Sequence, residues 1–435
     1  MVFHDVIHGA IEFEMPEARL VADLMECPEV QRLRHMRLLN FDVPAFQDLS
    51  TARRYAHAVG TCFLTARLCS RSGLPESDRK ALTAAALVHD VGIPPYGHLV
   101  EAALKRIYPE FSHESIFRDV VFGTYHPTNV YHQILPGRSL RVASVLRKHG
   151  IDPAKVVEVV EPEPGSSSPI CGQIDLDNID NVHRMAALIG VDTARSNVTA
   201  LAEHTHLSGP DGLLFDAAAI DEIGLWSEFR ATMYSLMIAH PDCVAYNAYL
   251  HDMVELAVGA SLISPDEWFL SDRDFEDRLS KHELTSDLAA QLVRGCEYAL
   301  IDYVWLRGPS GVKQSLRPVS IREGLPEAPV QGGTYFTWAE NAKIHRTITA
   351  DLVALGTRTF GENSTSLLVA LINPGAVPKT TVERYRKEGR RAWRCDVQAA
   401  VATLTPDCQW RPVFPETFAP AHLAPATPAV QYELF

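Results

Sequence analysis

The sequence lacks C-x-x-C pairs, long uninterrupted apolar runs and an excess of positive charge. Its eight cysteines are scattered, which argues against a zinc ribbon or a disulfide framework and predicts reduced thiols in a cytoplasmic protein. Because no apolar run is as long as a membrane span and residues 1–5 begin no signal peptide, we expect no membrane contact. Any metal site must therefore use histidines and carboxylates.

The 435 residues carry a formal net charge of −14, which argues against a general nucleic-acid-binding surface. Hydrophobic residues make up 46% of the chain and charged residues 22%, as is typical of a globular protein with a large core. Apolar residues recur with helical spacing in several segments of the first 300 residues: 16–40, 55–71, 77–90, 97–107, 112–122, 174–189 and 213–239.

The pattern changes beyond residue 310, where short runs such as 333–338 and 366–372 favour β-strands. The last 25 residues are rich in proline and alanine, as in an extended tail. We therefore predict a mainly α fold, with a helical domain at 1–310 and a smaller α+β region with a Pro-rich tail at 311–435.

In the segment 84–98, AAALVHDVGIPPYGH, an apolar helix ends abruptly in His89 and Asp90. Unpartnered polar groups are costly to bury, so this pair must be hydrogen-bonded, ion-paired or bound to a metal. An isolated pair is typical of an ordinary helix C-terminus, but His57 and Asp177 also lie in helices with apolar neighbours. The four residues offer two imidazoles and two carboxylates, which suit one divalent ion of Mn, Fe, Co, Ni, Zn or Mg.

The order of these four residues resembles the H…HD…D pattern of the HD-domain phosphohydrolases. Further segments are similar to motifs of the deoxynucleoside triphosphate triphosphohydrolases, such as the bacterial dGTPase and the vertebrate SAM-and-HD-domain dNTPase. They occur in the family's order between residues 3 and 190: FHDVIHG (3–9), QRLR (31–34), RYAHAVG (54–60), HDVGIPPYGH (89–98), HE (113–114) and DLD (175–177). The resemblance implies a helical HD-domain bundle, a nucleotide substrate, and homo-oligomers with an allosteric nucleotide.

The residues around the four metal ligands suggest further roles. His98 and Glu101 are three residues apart, so a helix presents both on one face, where the carboxylate can orient a proton-transferring imidazole. Asp180 and Arg184 have the spacing of an intrahelical ion pair, so we keep them only as candidates for residues that surround the metal ligands. With the resemblance, we predict acid/base roles for His98, Glu101, His113 and Glu114, and substrate contacts for Arg34, Arg54, Asp175 and Asp180, the arginines as phosphate clamps.

Several positions depart from the residues with which this family contacts the triphosphate or senses the deoxyribose: Leu38, Leu39, Ile93, Asn178, Asn181 and Met185. Hydrolysis at phosphorus is therefore better supported than a dNTP substrate, although release of inorganic triphosphate from a dNTP is the function we predict. The alternatives are a nucleotidase or phosphodiesterase for another or a modified nucleotide, a dinuclear phosphodiesterase with a second metal on His98 and His113, and a non-catalytic nucleotide sensor.

The segment 379–394, KTTVERYRKEGRRAWR, has seven basic and two acidic residues, with Tyr385 and Trp393 interleaved. A charge run of this kind is usually a solvated helix face, which is the interpretation we adopt. The alternative is a patch for nucleotide phosphate or single-stranded nucleic acid, in which cations bind phosphates and aromatic rings stack on bases. In that case Arg390 and Arg391 would be among the phosphate contacts.

Overall fold

The structure, a computed structural model, describes residues 2–40, 42–124, 141–208, 212–309, 318–341, 344–406 and 408–413. The chain forms two compact units made of interleaved segments. Unit 1 comprises Met1–Ser227, Tyr246–Glu297 and Thr347–Gly361, and unit 2 comprises Glu228–Ala245, Tyr298–Arg346 and Glu362–Phe435. The sequence prediction, by contrast, used a single boundary at residue 310.

Unit 1 is mainly helical and begins with an antiparallel hairpin of β1 (Val2–Asp5) and β2 (Gly9–Glu12). A small second sheet contains the strands β3 (Thr205–Leu207), β4 (Leu213–Phe215), β7 (Ile348–Leu352) and β8 (Gly356–Phe360), hydrogen-bonded in that order. The helices of unit 1 are α1 (Glu17–Met25), α2 (Pro28–Arg32), α3 (Gln47–Thr51), α4 (Arg54–Arg71), α5 (Glu76–Val88), α6 (His98–Ile107), α7 (His113–Phe122), α8 (Val142–Lys148), α9 (Pro153–Val160), α10 (Leu176–Leu188), α11 (Thr193–Glu203), α14 (Asp272–Lys281) and α15 (Ser286–Arg294). Two of the boundaries between the segments of the two units fall within α12 (Ile220–Ala239) and α13 (Pro241–Gly259).

Helix α5 lies in the core of unit 1, because every side chain from Ala81 to Val88 is buried. Its small side chains let α4 pack closely, and the Cys62 thiol of α4 donates a hydrogen bond to the Thr83 carbonyl oxygen at 3.5 Å. The apolar run ends at Val88, where the helix also ends. This packing holds the following residues, 89 and 90, at the inner end of α5.

Five predicted helices, at 55–71, 77–90, 97–107, 112–122 and 174–189, are confirmed to within two residues at each end. The predicted helix at 16–40 was wrong, because Pro28 starts a second helix there. Cys27 is extended (φ −67°, ψ 133°), as is usual for the residue before a proline. The predicted helix at 213–239 begins instead with strand β4, and α12 starts only at Ile220.

Unit 2 contains an antiparallel sheet in which the strands are hydrogen-bonded in the order β10, β5, β9, β6. Two of its helices cover one face, and their Tyr385, Trp393 and Val397 pack on Val369 and Leu371. The elements are β5 (Ala299–Pro309), α16 (Pro318–Glu323), β6 (Thr334–Asn341), β9 (Ser364–Asn373), α17 (Lys379–Glu388), α18 (Arg390–Leu404) and β10 (Arg411–Val413).

The strand predicted at 333–338 overlaps β6 from its second residue onward, and the one predicted at 366–372 lies within β9, so the mainly α fold with a smaller α+β region is confirmed. The Pro-rich tail predicted for the last 25 residues lies mostly outside the described residues. Over the described part of the chain, we find no helix with the length and apolarity needed to cross a membrane.

Candidate metal centre

Three helices bring the four predicted metal ligands together. His57 lies in the first turn of α4, His89 and Asp90 directly follow α5, and Asp177 lies in the first turn of α10. The Nε2 atom of His57 is 2.7 Å from Oδ1 of Asp177, and Nε2 of His89 is 3.6 Å from that same oxygen. The prediction that these residues share one site is therefore consistent with the geometry.

The ring of His89 shows that the site fits a metal. Its Nδ1 atom is 2.8 Å from the carbonyl oxygen of Ala86, to which it donates, so Nε2 carries the lone pair. That Nε2 atom is buried and has no hydrogen-bond partner. One ligand atom each of His57, His89 and Asp90 lies within 4.8 Å of the others. Two imidazole nitrogens with carboxylate oxygens form a donor set that suits a divalent ion.

The charges around the site keep its carboxylates ionised, as metal ligands must be. Burial would raise the pKa of the Asp90 carboxyl, but its neighbours, above all the Arg54 guanidinium, outweigh burial and hold that pKa below its usual range. Arg54 donates from Nη1 to Oδ2 of Asp90 at 2.7 Å. Burial likewise opposes ionisation of Asp177, but its hydrogen bond with His57 lowers the pKa overall.

A second cluster joins α6 and α7 around the buried carboxylate of Glu101. Oε2 of Glu101 is 2.9 Å from Nδ1 of His98, and Oε1 is 3.0 Å from Nδ1 of His113. Lys105 also bonds to Glu101, at 2.7 Å, and Glu114 is 3.5 Å from His113. The side chain of His98 is 72% exposed, so its second nitrogen can reach a solvent-borne group. The four predicted acid/base residues therefore lie together.

The hydrogen bonds of this cluster lower the pKa of Glu101 and raise the pKa of His113. Burial would raise the pKa of Glu101, but the hydrogen bonds from His113, His98 and Lys105 outweigh it and hold the pKa well below its usual range. Burial would lower the pKa of His113, but its hydrogen bond to Glu101 raises it overall. Glu101 is therefore an ionised carboxylate that accepts from every neighbour.

The loop from Val91 to Gly97 joins the two clusters and is held in a strained conformation. Tyr96 has a φ of 56°, which is unfavourable for a residue with a bulky side chain. Its backbone N–H donates to Asp272 at 2.9 Å and its hydroxyl donates to Glu276 at 2.8 Å, both in α14. Arg32 donates to four carbonyl oxygens, those of Val91, Ile93, Trp268 and Leu270.

Gly92 lets the acid/base cluster approach the metal ligands. A Cβ atom there would overlap the carbonyl oxygen of His113 and lie 2.8 Å from the backbone nitrogen of Phe117. Helix α7 can therefore pack its first turn directly against this loop, and Ser112 caps that turn by accepting from the Ser115 N–H at 3.1 Å. Any larger residue at position 92 would displace His113 from Glu101.

The four residues predicted to contact substrate lie in different surroundings. Arg54 lies beside Asp90, while Arg34 is exposed, 5.9 Å above the ring of Tyr55. Asp175 is buried and caps α10 by accepting from the backbone N–H groups of Asn178 and Gly172. Asp180 is buried behind His57, 2.8 Å from its Nδ1 atom. Protein groups already bind the carboxylates of Asp175 and Asp180, and their predicted substrate contacts stay a prediction.

Sequence reasoning assigned no role to Arg32, His8, Asp272 or Glu276. Arg32 and His8 lie in the motifs QRLR and FHDVIHG. Their charged or polar side chains inside a recognised motif could have marked them as functional candidates. Asp272 and Glu276 lie in a segment without any motif and act on a loop about 180 residues away, as the bonds to Tyr96 show. No local pattern could have identified them.

The basic segment 379–394 in unit 2 is partly neutralised. Asp302, whose side chain is fully buried in β5, accepts from Arg394 at 2.6 Å and from Arg390 at 3.1 Å. Tyr385 and Trp393 are buried in the core below, so neither ring can stack on a base. The alternative of a nucleic-acid patch required these two rings to stack on bases. Both rings lie on the inward faces of their helices, so the segment offers only its basic side chains.

Comparison with known proteins places this site in a recognised domain. The HD domain family model matches residues 54–185. An uncharacterized Bacillus subtilis protein, YwfO, is 30% identical over 195 residues, 44% of this chain and 40% of that protein. An uncharacterized Mycoplasma pneumoniae protein is 24% identical over 162 residues, 37% of this chain and 35% of that protein. The chain thus matches less than half the length of either relative.

A solved structure extends the likeness beyond the matched domain. The crystal structure of a phosphohydrolase from Bacteroides thetaiotaomicron superposes with a TM-score of 0.59 at 17% sequence identity. The superposition covers 85% of this chain and 99% of that one, so the two share a fold. The family match confirms an HD domain at residues 54–185, within the predicted mainly α fold.

Proposed function

We propose that this chain is a metal-dependent phosphohydrolase that acts on nucleotides, most directly by cleaving a dNTP to the deoxynucleoside and inorganic triphosphate. The observation that carries the proposal is the buried Nε2 atom of His89. It lies beside the carboxylates of Asp90 and Asp177 but has no hydrogen-bond partner. The related Bacteroides structure is called a phosphohydrolase, which supports the same class of reaction.

His57, His89, Asp90 and Asp177 would hold one divalent ion, with Mn, Fe, Co, Ni, Zn or Mg as candidates. A bound divalent ion supplies Lewis acidity here, because it neutralises charge on a phosphoryl oxygen and lowers the pKa of a bound water. Arg54 holds the Asp90 carboxylate in place through its bond of 2.7 Å.

His98 is suited to transfer a proton at the leaving oxygen. Its Nδ1 atom is bonded to Glu101, so the ring is oriented and Nε2 is the nitrogen that gives or accepts the proton. Glu101 also fixes His113, the first residue of α7, and the first turn of this helix packs against the loop that follows Asp90. Acid/base chemistry and metal binding thus share one rigid framework.

Arg54 and Arg34 are the proposed phosphate contacts. Arg54 is buried beside Asp90, and its Nη2 atom lies close to Gly97, where a Cβ atom would be 2.9 Å away. A guanidinium there can bind a phosphoryl oxygen next to the metal ligands. Arg34 is exposed and can reach phosphates farther from the metal.

The choice of a dNTP rests on the motifs between residues 3 and 190, while the departures leave the exact nucleotide open to experiment. Ile93, Leu38 and Met185 are buried, so these side chains are packed in the protein rather than presented to a substrate. Asn178 hydrogen-bonds to Asp175. The chain therefore holds its substrate by contacts that differ from those of the family that it resembles.

Product analysis tests the proposal. Purified protein would be incubated with each dNTP, NTP and dNMP in the presence of Mn²⁺, Mg²⁺, Co²⁺ or Fe²⁺, and the products separated by chromatography. We expect deoxynucleoside and triphosphate from at least one dNTP, no product with Asp177→Ala, and full activity with Asp192→Ala at an exposed helix cap. Single phosphate from dNMPs would indicate a nucleotidase, and bound metal without turnover would favour a nucleotide sensor.

The cluster on Glu101 supports a second candidate, a dinuclear phosphodiesterase. Ligand atoms of His98, Glu101 and His113 also lie within 4.8 Å of one another. The Lys105 ammonium group, 2.7 Å from Glu101, opposes a second cation there. Metal analysis of the purified protein separates the two candidates, because a dinuclear enzyme binds twice as much metal per chain and cleaves phosphodiesters.

A further inference from the structure

We infer that His8, on the hairpin of β1 and β2, is a positioning residue of the metal centre, which acts through Asp180 on the ligand His57. This inference rests on the proposed metal site and extends it beyond the HD domain match, which begins at residue 54. The hairpin contributes none of the four proposed metal ligands. It supports the site through the bond from His8 to Asp180, which in turn holds His57.

Asp180 is the residue through which the hairpin reaches His57. Its side chain is fully buried, and Oδ1 is 2.8 Å from Nδ1 of His57. Arg184 donates from Nε to Oδ1 and from Nη2 to Oδ2, both at 2.9 Å, and Nε2 of His8 is 2.7 Å from Oδ2. A carboxylate accepts about four hydrogen bonds, so every lone-pair position is used and the group cannot turn.

This arrangement determines which nitrogen of His57 faces the metal. Because Asp180 accepts the Nδ1–H of the ring, Nε2 is the nitrogen left to bind a metal, and it points to Asp177. If Oδ2 lost the donor His8, Asp180 would rotate toward Arg184 and the His57 ring would lose its fixed orientation. Partners of this kind typically change metal affinity by about 10- to 100-fold.

Asp5 links the shape of the hairpin to the same network. Its Oδ2 atom accepts from Nη1 of Arg184 at 2.8 Å. Its Oδ1 atom accepts from the backbone N–H groups of Ile7 and His8, at 2.8 and 3.1 Å, which folds the turn between the two strands. One carboxylate thus holds both Arg184 and the turn that carries His8.

The hairpin is packed firmly enough on unit 1 to act as a support. Ile7 and Ile11 are buried, and Phe13 and His8 both contact the ring of Phe63 on α4, with centroids 6.3 and 5.5 Å apart. Phe63 lies six residues after His57 in the same helix. The hairpin and the metal ligand therefore rest on one rigid element.

Metal affinity measured by calorimetry tests the inference, with Co²⁺ as the probe because its visible absorption also reports coordination geometry. His8→Ala should bind Co²⁺ about 10- to 100-fold more weakly and change the absorption bands. His8→Gln keeps an N–H donor near the position of Nε2 and should restore binding, whereas the shorter His8→Asn should not. His4→Ala, on an exposed residue of the same hairpin, is the matched control.

The outcomes separate this inference from the proposed function. Absence of Co²⁺ binding by the unaltered chain overturns the proposed metal site and the inference with it. Tight binding by the unaltered chain and equally tight binding by His8→Ala overturns the inference alone. Lower thermal stability of metal-free His8→Ala with unchanged affinity would show a structural role only, and if His8→Ala fails to fold, the Gln and Asn variants decide.

Discussion

Two aspartates, Asp180 in unit 1 and Asp302 in unit 2, have side chains that are equally buried, yet they belong to networks of different kinds. Each carboxylate accepts hydrogen bonds from more than one cationic or polar partner. Asp180 accepts from His8, His57 and Arg184. Asp302 accepts from Tyr385, Arg390 and Arg394. Burial and pairing alone do not distinguish them.

The difference lies in where each network ends. The side chains of Arg390 and Arg394, which bind Asp302, are 50% and 34% exposed, so that network ends in solvent and ties α18 to β5. The network of Asp180 continues through His57 to a group of nitrogen and oxygen atoms that includes an unpartnered Nε2 on His89. A buried charge is informative about function when its hydrogen bonds lead to an atom that lacks a partner.

The largest effect on activity is expected at Glu101, a third buried carboxylate, whose hydrogen bonds lead to the exposed ring of His98. Glu101→Gln should lower kcat by about 10²- to 10⁴-fold, because an amide cannot accept from His98, His113 and Lys105 together. Metal binding should be unchanged. Turnover and Co²⁺ titration of the variant check this, and a matched loss of metal affinity would contradict the separation of the two clusters.

An intermediate effect is expected at Gly60, which makes room for the Asp180 network. A Cβ atom at this position would overlap Oδ2 of Asp180 and lie 2.6 Å from Nη2 of Arg184. Gly60→Ala should therefore weaken Co²⁺ binding by about 10-fold or more. Gly73→Ala is the matched control, since a Cβ atom there meets nothing within 4 Å. Equal affinity of the two variants would show that Asp180 can shift without consequence for His57.

The smallest effect is expected at Asp302, which serves stability alone. Asp302→Asn removes the charge that both arginines face, but these arginines can turn into solvent. We expect a loss of about 1–2 kcal/mol in the free energy of unfolding, with turnover and metal affinity unchanged. Urea denaturation and the same Co²⁺ titration measure both quantities. Loss of activity in a folded Asp302→Asn protein would contradict the assignment of a purely stabilising role to Asp302.

The sequence predicted the parts of the site that depend on neighbouring residues. The burial of α5 and the spacing of His57, His89, Asp90 and Asp177 follow from helical periodicity and from an ordered set of motifs. The proximity of His98 and Glu101 follows from three-residue spacing on α6. Local rules were sufficient for the burial of α5 and for the pair of His98 and Glu101, because each is set within one or two helical turns. The grouping of the four ligands from three helices rested on the order of the motifs instead.

The remaining parts depend on contacts between distant segments. Asp180 was predicted to contact the substrate, but its carboxylate is bonded to His57 and to His8 of the hairpin, which no spacing along the chain indicates. The strained Tyr96 depends on α14, which shares no motif with it. Leu38 and Ile93 were recognised as departures, but only the structure shows that both are buried.

The side chain of Arg32 also has a consequence for the order in which the chain assembles. It joins the carbonyl oxygens of Val91 and Ile93 to those of Trp268 and Leu270, which lie 236 and 238 residues farther along the chain than Arg32. During synthesis, the loop after Asp90 emerges long before these acceptors exist, so it reaches its final conformation late. A nascent chain cut off at residue 190 would carry every recognised motif and still lack half of the anchor for its ligand-bearing loop.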